Sequence, residues 1–168
     1  MTACRALIAA LCLYPAAAMA QDGGTDTDWF VYLADDGSEC IALSEPVGAR
    51  YFRDGVEVSA NTDAPYLTIV YRPAEGALGQ VAYQGGFAFN AEESITARVG
   101  GTQFDLLPED SWSWPADSEA DAALVAAMKA SSEIEMSSFS SRGTNVVHTF
   151  SLEGFGAAVD EAASRCGG

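Results

Sequence analysis

His148 is the single histidine of the 168-residue chain, so any imidazole proton transfer or Ser-His arrangement would have to use it. It stands in Val146-Val147-His148-Thr149-Phe150, a run that reads as a strand, and no glycine-flanked serine resembles a nucleophile elbow. We therefore expect a half-exposed strand histidine with no catalytic part, and a protein that is not an enzyme. Carboxylates are far more abundant. Asp22, Asp26 and Asp28, then Asp35, Asp36 and Glu39, are hard oxygen donors of the type calcium takes. Neither group has the EF-hand spacing, with its central glycine and distal glutamate, so a solvated acidic surface is expected, with no metal and no cofactor.

Two further sets suit binding rather than reaction. Trp112 and Trp114 lie in Ser111-Trp112-Ser113-Trp114-Pro115, flanked by Glu109, Asp110 and Asp117. Tryptophans so placed either cover a small core and dock the helix that follows, or stay exposed as a platform for a cationic ligand or a sugar. Arg142-Gly143-Thr144 reads as a hairpin tip in which Gly143 supplies a positive φ. Arg142 is one of 8 basic residues set against 24 acidic ones, and loop tips are where binding residues concentrate. The candidate interaction residues are thus Arg142, Gly143, Trp112 and Trp114.

What positions these residues begins with export. Arg5, the apolar run from Ala6 to Leu13 and the Ala18-Met19-Ala20 cleavage pattern read as a signal peptide over 1–20, with a flexible polar leader over 21–27 and one domain over 28–168. Cys12 raises lipidation as an alternative, although Leu11 is large for the residue before such a site. No later run approaches the ~20 apolar residues of a membrane span. Without Arg5 the chain keeps 7 basic residues against 24 acidic, a net charge of −17. Such a surface repels nucleic acid and anionic lipid, so neither is an expected partner. Cys4 and Cys12 leave with the signal, and Cys40 and Cys166, alone in an oxidising compartment, are expected to pair.

Between the cysteines, short β-rich runs alternate with turn residues. Strands are expected at Trp29–Ala34, Cys40–Ser44, Tyr66–Arg72, Gln80–Tyr83, Phe87–Phe89, Ser94–Val99, Thr102–Leu107, Glu133–Phe139 and Asn145–Phe150. Gly100-Gly101 marks a two-residue hairpin. Ser118–Lys129 is Ala-rich, with Asp117 or Ser118 as cap and Glu119 and Asp121 in the first turn, as a helix prefers. A second helix is expected over Gly154–Arg165, where Phe155, Val159, Ala162 and Cys166 fall on one stripe. Many short strands with two small helices predict a β-sandwich with peripheral helices.

The C-terminal third carries the stretches Ala126-Ala127-Met128-Lys129, Ser140-Ser141-Arg142-Gly143-Thr144 and Thr149-Phe150-Ser151-Leu152-Glu153-Gly154-Phe155, with Ala157-Ala158 and Cys166. By these, from Trp112 to Cys166, the chain resembles the invasion-associated locus B family of exported bacterial proteins. Trp29, Cys40, Gly86-Phe87 and Phe104 agree upstream at lower specificity. His148 stands where an acidic residue is expected, and Ala130 where a glycine is. The resemblance implies an immunoglobulin-like β-sandwich in the periplasm or at the outer surface, with no enzymatic activity. Together these readings predict an exported, non-enzymatic module that binds another envelope protein. The alternative is a periplasmic small-molecule binder with a pocket near the tryptophans.

Overall fold

A computed structural model describes residues 27–166, and the expected signal peptide and almost all of the expected leader lie outside them. The described residues form eleven strands and two α-helices. The strands are β1 (Phe30–Leu33), β2 (Cys40–Ser44), β3 (Gly48–Arg53), β4 (Val56–Val58), β5 (Tyr66–Arg72), β6 (Ala77–Gln84), β7 (Ile95–Val99), β8 (Thr102–Glu109), β9 (Trp112–Trp114), β10 (Glu133–Phe139) and β11 (Asn145–Ser151). The helices are α1 (Ser118–Lys129) and α2 (Phe155–Cys166).

Every strand pairing is antiparallel, in the spatial order β1-β2-β5-β6-β9-β8-β7-β10-β11-β3-β4. β8 divides this ladder into two layers. Its first half, Thr102–Leu106, pairs with β7, and its second half, Leu107–Glu109, turns away to pair with β9. Side chains alternate across a strand, so cross-strand partners share a face. In the first layer Cys40, Ala42, Leu67, Ile69, Val81 and Tyr83 point inward. In the second layer Ile134, Met136, Phe150, Val99 and Ala97 do so. The two faces meet where Tyr83 packs edge-on against Phe150, with ring centroids 6.1 Å apart.

Both helices send a buried stripe into this core. Phe155, Ala158, Val159, Ala162 and Cys166 line one side of α2, and Leu124 and Met128 one side of α1. Trp29 clamps the start of α2, its ring 4.7 Å from Phe155 and its indole N–H donating to the Ser151 carbonyl over 2.9 Å. The expected disulfide is present: Cys40 on β2 is bonded to Cys166 in the last turn of α2, with Cα atoms 5.7 Å apart across 126 residues of sequence. By chain entropy a loop of this size stabilises the fold by about 4–5 kcal/mol.

The caps and turns follow local chemistry. The Asp117 carboxylate accepts from the Glu119 and Ala120 N–H groups at the start of α1. Gly100 and Gly101 both take positive φ, 54° and 85°, as a tight primed turn between β7 and β8 requires. One expected strand is absent. Phe87–Phe89 makes a single bridge, Phe89 to Ser140, because the Gly85-Gly86 pair ahead of it bends the chain out of the ladder.

Candidate functional site

One end of the molecule is organised by the segment from Gly85 to Asn90. Gly85 N–H donates to the Ser111 carbonyl over 3.0 Å and Phe89 N–H to the Asp110 carbonyl over 2.7 Å, which fixes the β8–β9 turn. Ser141 N–H donates to Ala88 over 2.9 Å and Asn90 N–H to Phe139 over 2.8 Å, which fixes the β10–β11 hairpin. Asp63 N–H donates to Gly86, so the β4–β5 loop joins the same end. Trp112 follows the first of these turns and Arg142-Gly143 forms the second, so the sequence candidates share one end of the fold.

The tryptophans do not dock α1, which corrects one of the two expectations. Ser113 between them is buried and pairs with Tyr83 on the core face, so strand alternation sends Trp112 and Trp114 to the opposite, outer face. There the two rings stack, 6.5 Å apart and 15° from parallel. The helix docks instead through Leu124, Met128 and the Asp121 carboxylate, which accepts from the Val81 N–H of β6 over 2.8 Å. Partial burial raises the Asp121 pKa, and the Val81 hydrogen bond opposes that rise.

Around the tryptophans the first layer turns a number of apolar side chains outward. The register places Phe30 beside Leu43, Tyr32 beside Ile41, Ile41 beside Val70, and Leu107 beside Trp114. Phe30 is 63% exposed, Tyr32 54%, Leu107 58% and Trp112 36%, so large apolar side chains stand open at the two margins of this layer's outer face, on β1 and on β8 and β9. A groove of about 380 Å³ runs across it between Ile41, Val70, Ala82 and the two tryptophans, with Thr68, Arg72 and Gln80 as its polar lining.

Arg142 and Gly143 stand at the tip of the β10–β11 hairpin, and Gly143 has the positive φ expected of it, 77°. The hairpin stays closed through Gly143 N–H to the Ser140 carbonyl and Thr144 N–H to the Ser140 hydroxyl. Beside it lies a second pocket of about 280 Å³, between the hairpin, β3 and the β4–β5 loop. Arg53 and Tyr51, which line it, are residues the sequence reading missed, because β3 (Gly-Ala-Arg-Tyr-Phe-Arg) has no clear alternation. The Asp54-Gly55 pair after it, with φ of 51° and 76°, was the available signal of a β3–β4 hairpin.

His148 is not half-exposed: it is fully buried. β11 lies between β10 and β3, and this position faces the first layer rather than solvent. Its Nδ1 is 2.7 Å from the Tyr83 hydroxyl, and its Nε2 has no hydrogen-bond partner. Burial lowers the imidazole pKa to about 4, so the ring is neutral at ordinary pH. The same burial pushes the Tyr83 phenol well above its usual range. The pair is a buried polar contact inside a box of aromatic rings that includes Tyr51, Phe87 and Phe150.

No helix among the described residues is long and apolar enough to cross a membrane. Comparison with curated proteins gives no match. Residues 113–163 match the family model described as invasion associated locus B (IalB) protein. The described fold is similar to the crystal structure of invasion associated protein B from Bartonella henselae, with a TM-score of 0.53 and 15% identity, over 83% of this chain and 94% of that one. The resemblance to the invasion-associated locus B family read from the residues is thus confirmed by the family match over 113–163, and the likeness of fold extends across most of the chain.

Proposed function

We propose that this protein is an exported, non-enzymatic envelope component that works by binding another protein through the outer face of its first layer. Trp112 and Trp114 lie at the centre of the contact, with the Arg142-Gly143 tip at its polar margin. The observation that carries this reading is the placement of four exposed large side chains, Phe30, Tyr32, Leu107 and Trp112, on one sheet face. Exposed apolar residues scattered singly are ordinary on soluble proteins, whereas large ones gathered on one sheet face suit an interaction surface. Aromatic residues are also the side chains that most often anchor protein interfaces. The non-enzymatic part of the proposal is supported by the sealing of the only histidine away from solvent. Export is supported by the N-terminal pattern and by the disulfide, which belongs to oxidising compartments.

The test is a photo-crosslinking amino acid placed singly at Tyr32, Leu107 or Glu57 in the mature protein, followed by exposure to the envelope fraction of the source cell. Tyr32 and Leu107 lie on the proposed face, and Glu57 lies on the edge strand β4 of the other layer. The same partner should be captured from the first two positions and not from Glu57. Capture at equal yield from all three positions would reject the assigned face.

A second reading rests on the groove between Ile41, Val70 and the tryptophans, whose volume of about 380 Å³ is that of a small-ligand site. It predicts a small molecule retained by the native protein and released when Trp112 and Trp114 are both replaced by alanine. Native mass spectrometry of the two forms distinguishes this from the protein-binding reading.

A further inference from the structure

The distribution of positive charge points to a second site, which shares only the Arg142 tip with the proposed tryptophan-face contact. Seven basic residues lie in the described part of the chain: Arg50, Arg53, Arg72, Arg98, Lys129, Arg142 and Arg165. Four of them meet carboxylates: Arg50 with Glu135, Arg72 with Glu39 and Glu75, Lys129 with Asp160, and Arg165 with Glu161. Among the described residues Arg53, Arg98 and Arg142 have no carboxylate partner. Two of these three, Arg53 and Arg142, line the same pocket of about 280 Å³ beside the β10–β11 hairpin. Not one Asp or Glu lines it, on a chain that carries 24 of them. Asp54 and Asp63 are close in sequence, yet neither lies on the pocket wall.

We propose that this pocket binds a small organic anion, a monocarboxylate with a compact apolar or aromatic body. Arg53 is already oriented for the task, because one Nη2 donates to the Thr144 hydroxyl over 2.7 Å. A guanidinium has five N–H donors in a planar fork, so that contact leaves enough for a carboxylate to be held by two parallel hydrogen bonds. Arg142 approaches from the hairpin tip, whose shape is fixed by the Ser140 contacts to Gly143 and Thr144. The remaining wall is apolar where a ligand body would lie, at Tyr51, Phe87 and Val146. The size lies near the lower end of small-molecule pockets, ~300 Å³, which favours a compact acid over a nucleotide or an oligosaccharide. Two arginines drawn together with no carboxylate between them repel each other, and a bound anion removes that cost.

The probe is benzoate, titrated into the intact disulfide-bonded protein by calorimetry and by amide chemical-shift mapping, with benzamide as the uncharged isostere and inorganic phosphate as a second anion. Benzoate should bind with shifts centred on residues 51–53, 61–62 and 140–144, and benzamide should not bind. Arg53→Gln and Arg142→Gln should each weaken benzoate by about tenfold or more, the loss expected for a charge-assisted hydrogen-bonding pair. Arg98→Gln, the arginine without a carboxylate partner that lies outside the pocket, should leave the affinity unchanged. Unaltered melting temperatures in the two pocket variants show that a loss is not a loss of folding. For Arg142→Gln this is the expected behaviour, since its side chain is exposed at a turn. Equal binding of benzoate and benzamide, equal weakening by Arg98→Gln, phosphate bound in preference to benzoate, or no binding at all would each overturn the assignment.

Discussion

The burial of His148 makes a quantitative prediction about acid stability. In the folded protein the imidazole pKa is lowered to about 4 from an ordinary value of 6.5, because no charged form can be solvated between the two layers. The unfolded chain binds a proton at this residue near pH 6.5, while the folded chain does not until near pH 4. Unfolding therefore takes up a proton throughout that window, and stability falls as pH falls. Each pH unit costs about 1.4 kcal/mol, so the whole window is worth about 3 kcal/mol, lost between pH 6.5 and pH 4 and constant outside it. The carboxylates act in the opposite sense, since protonating an over-acidic surface relieves its repulsion, and total stability would blur the two. The perturbation is accordingly His148→Gln, whose amide can still meet the Tyr83 hydroxyl and does not titrate. Urea unfolding of the oxidised protein and the variant is followed by circular dichroism from pH 7.5 to pH 3.5. The stability of the parent minus that of the variant should be level above pH 6.5, fall by about 3 kcal/mol on the way to pH 4, and level again. A difference constant to within about 0.5 kcal/mol, the usual scatter between independent measurements, would refute the claim that the ring is held neutral by burial.

Other perturbations probe the covalent and backbone constraints. Cys40→Ser with Cys166→Ser, or reduction of the native bond, should lower stability by about 4–5 kcal/mol in denaturant melts, because the bond closes a loop across 126 residues of separation. Gly86→Ala should cost more than about 2 kcal/mol: the position has φ of 78° and an added Cβ would strike the Asp63 carbonyl. Its melting temperature, compared with that of Gly143→Ala at an open turn, separates the collision from the torsional strain that both share. Trp112→Ala should shift the melting temperature little while abolishing partner capture, because the ring lies outside the core. Raising salt from 0.01 M to 1 M shortens the screening length from ~30 Å to ~3 Å and should raise the melting temperature of a chain this acidic.

Much of this architecture was legible where local and tertiary signals agree. The Ala-rich helix from Ser118 to Lys129, the strands Cys40–Ser44, Tyr66–Arg72 and Glu133–Phe139, and the cysteine pairing all coincide with the structure. The helix and strands are set by chemistry within their own segments, and the pairing by Cys40 and Cys166 being the two cysteines left after the expected cleavage. What failed depended on neighbours. Gly48–Arg53 reads as polar because β3 is paired only near the sheet margin, with β11 on one side and short β4 on the other. Phe87–Phe89 has strand composition, yet the glycines before it divert its backbone to other partners. His148 could not be assigned a face from Val147 and Thr149, since all of Val146, Val147 and His148 are buried. The Trp112–Trp114 face depended on Ser113 being the buried member of the three, which runs against the usual preference for burying tryptophan over serine. Arg142 was legible as a turn residue, but its partner Arg53 is 89 positions away and only the fold brings them to one cavity.

The sharing of β8 between both layers bears on how the molecule can come apart. In many two-layer domains one sheet can peel away while the other persists, and amide exchange then resolves separate cooperative units. Here Leu106 and Leu107 are consecutive residues, one laddered to β7 and the next to β9. Opening either layer must pull on the backbone that anchors the other. The slowest-exchanging amides of β6 and β10 should therefore report the same opening free energy, that of global unfolding. A partner bound to the outer face of the first layer would then slow exchange in the second layer as well, with no contact made there.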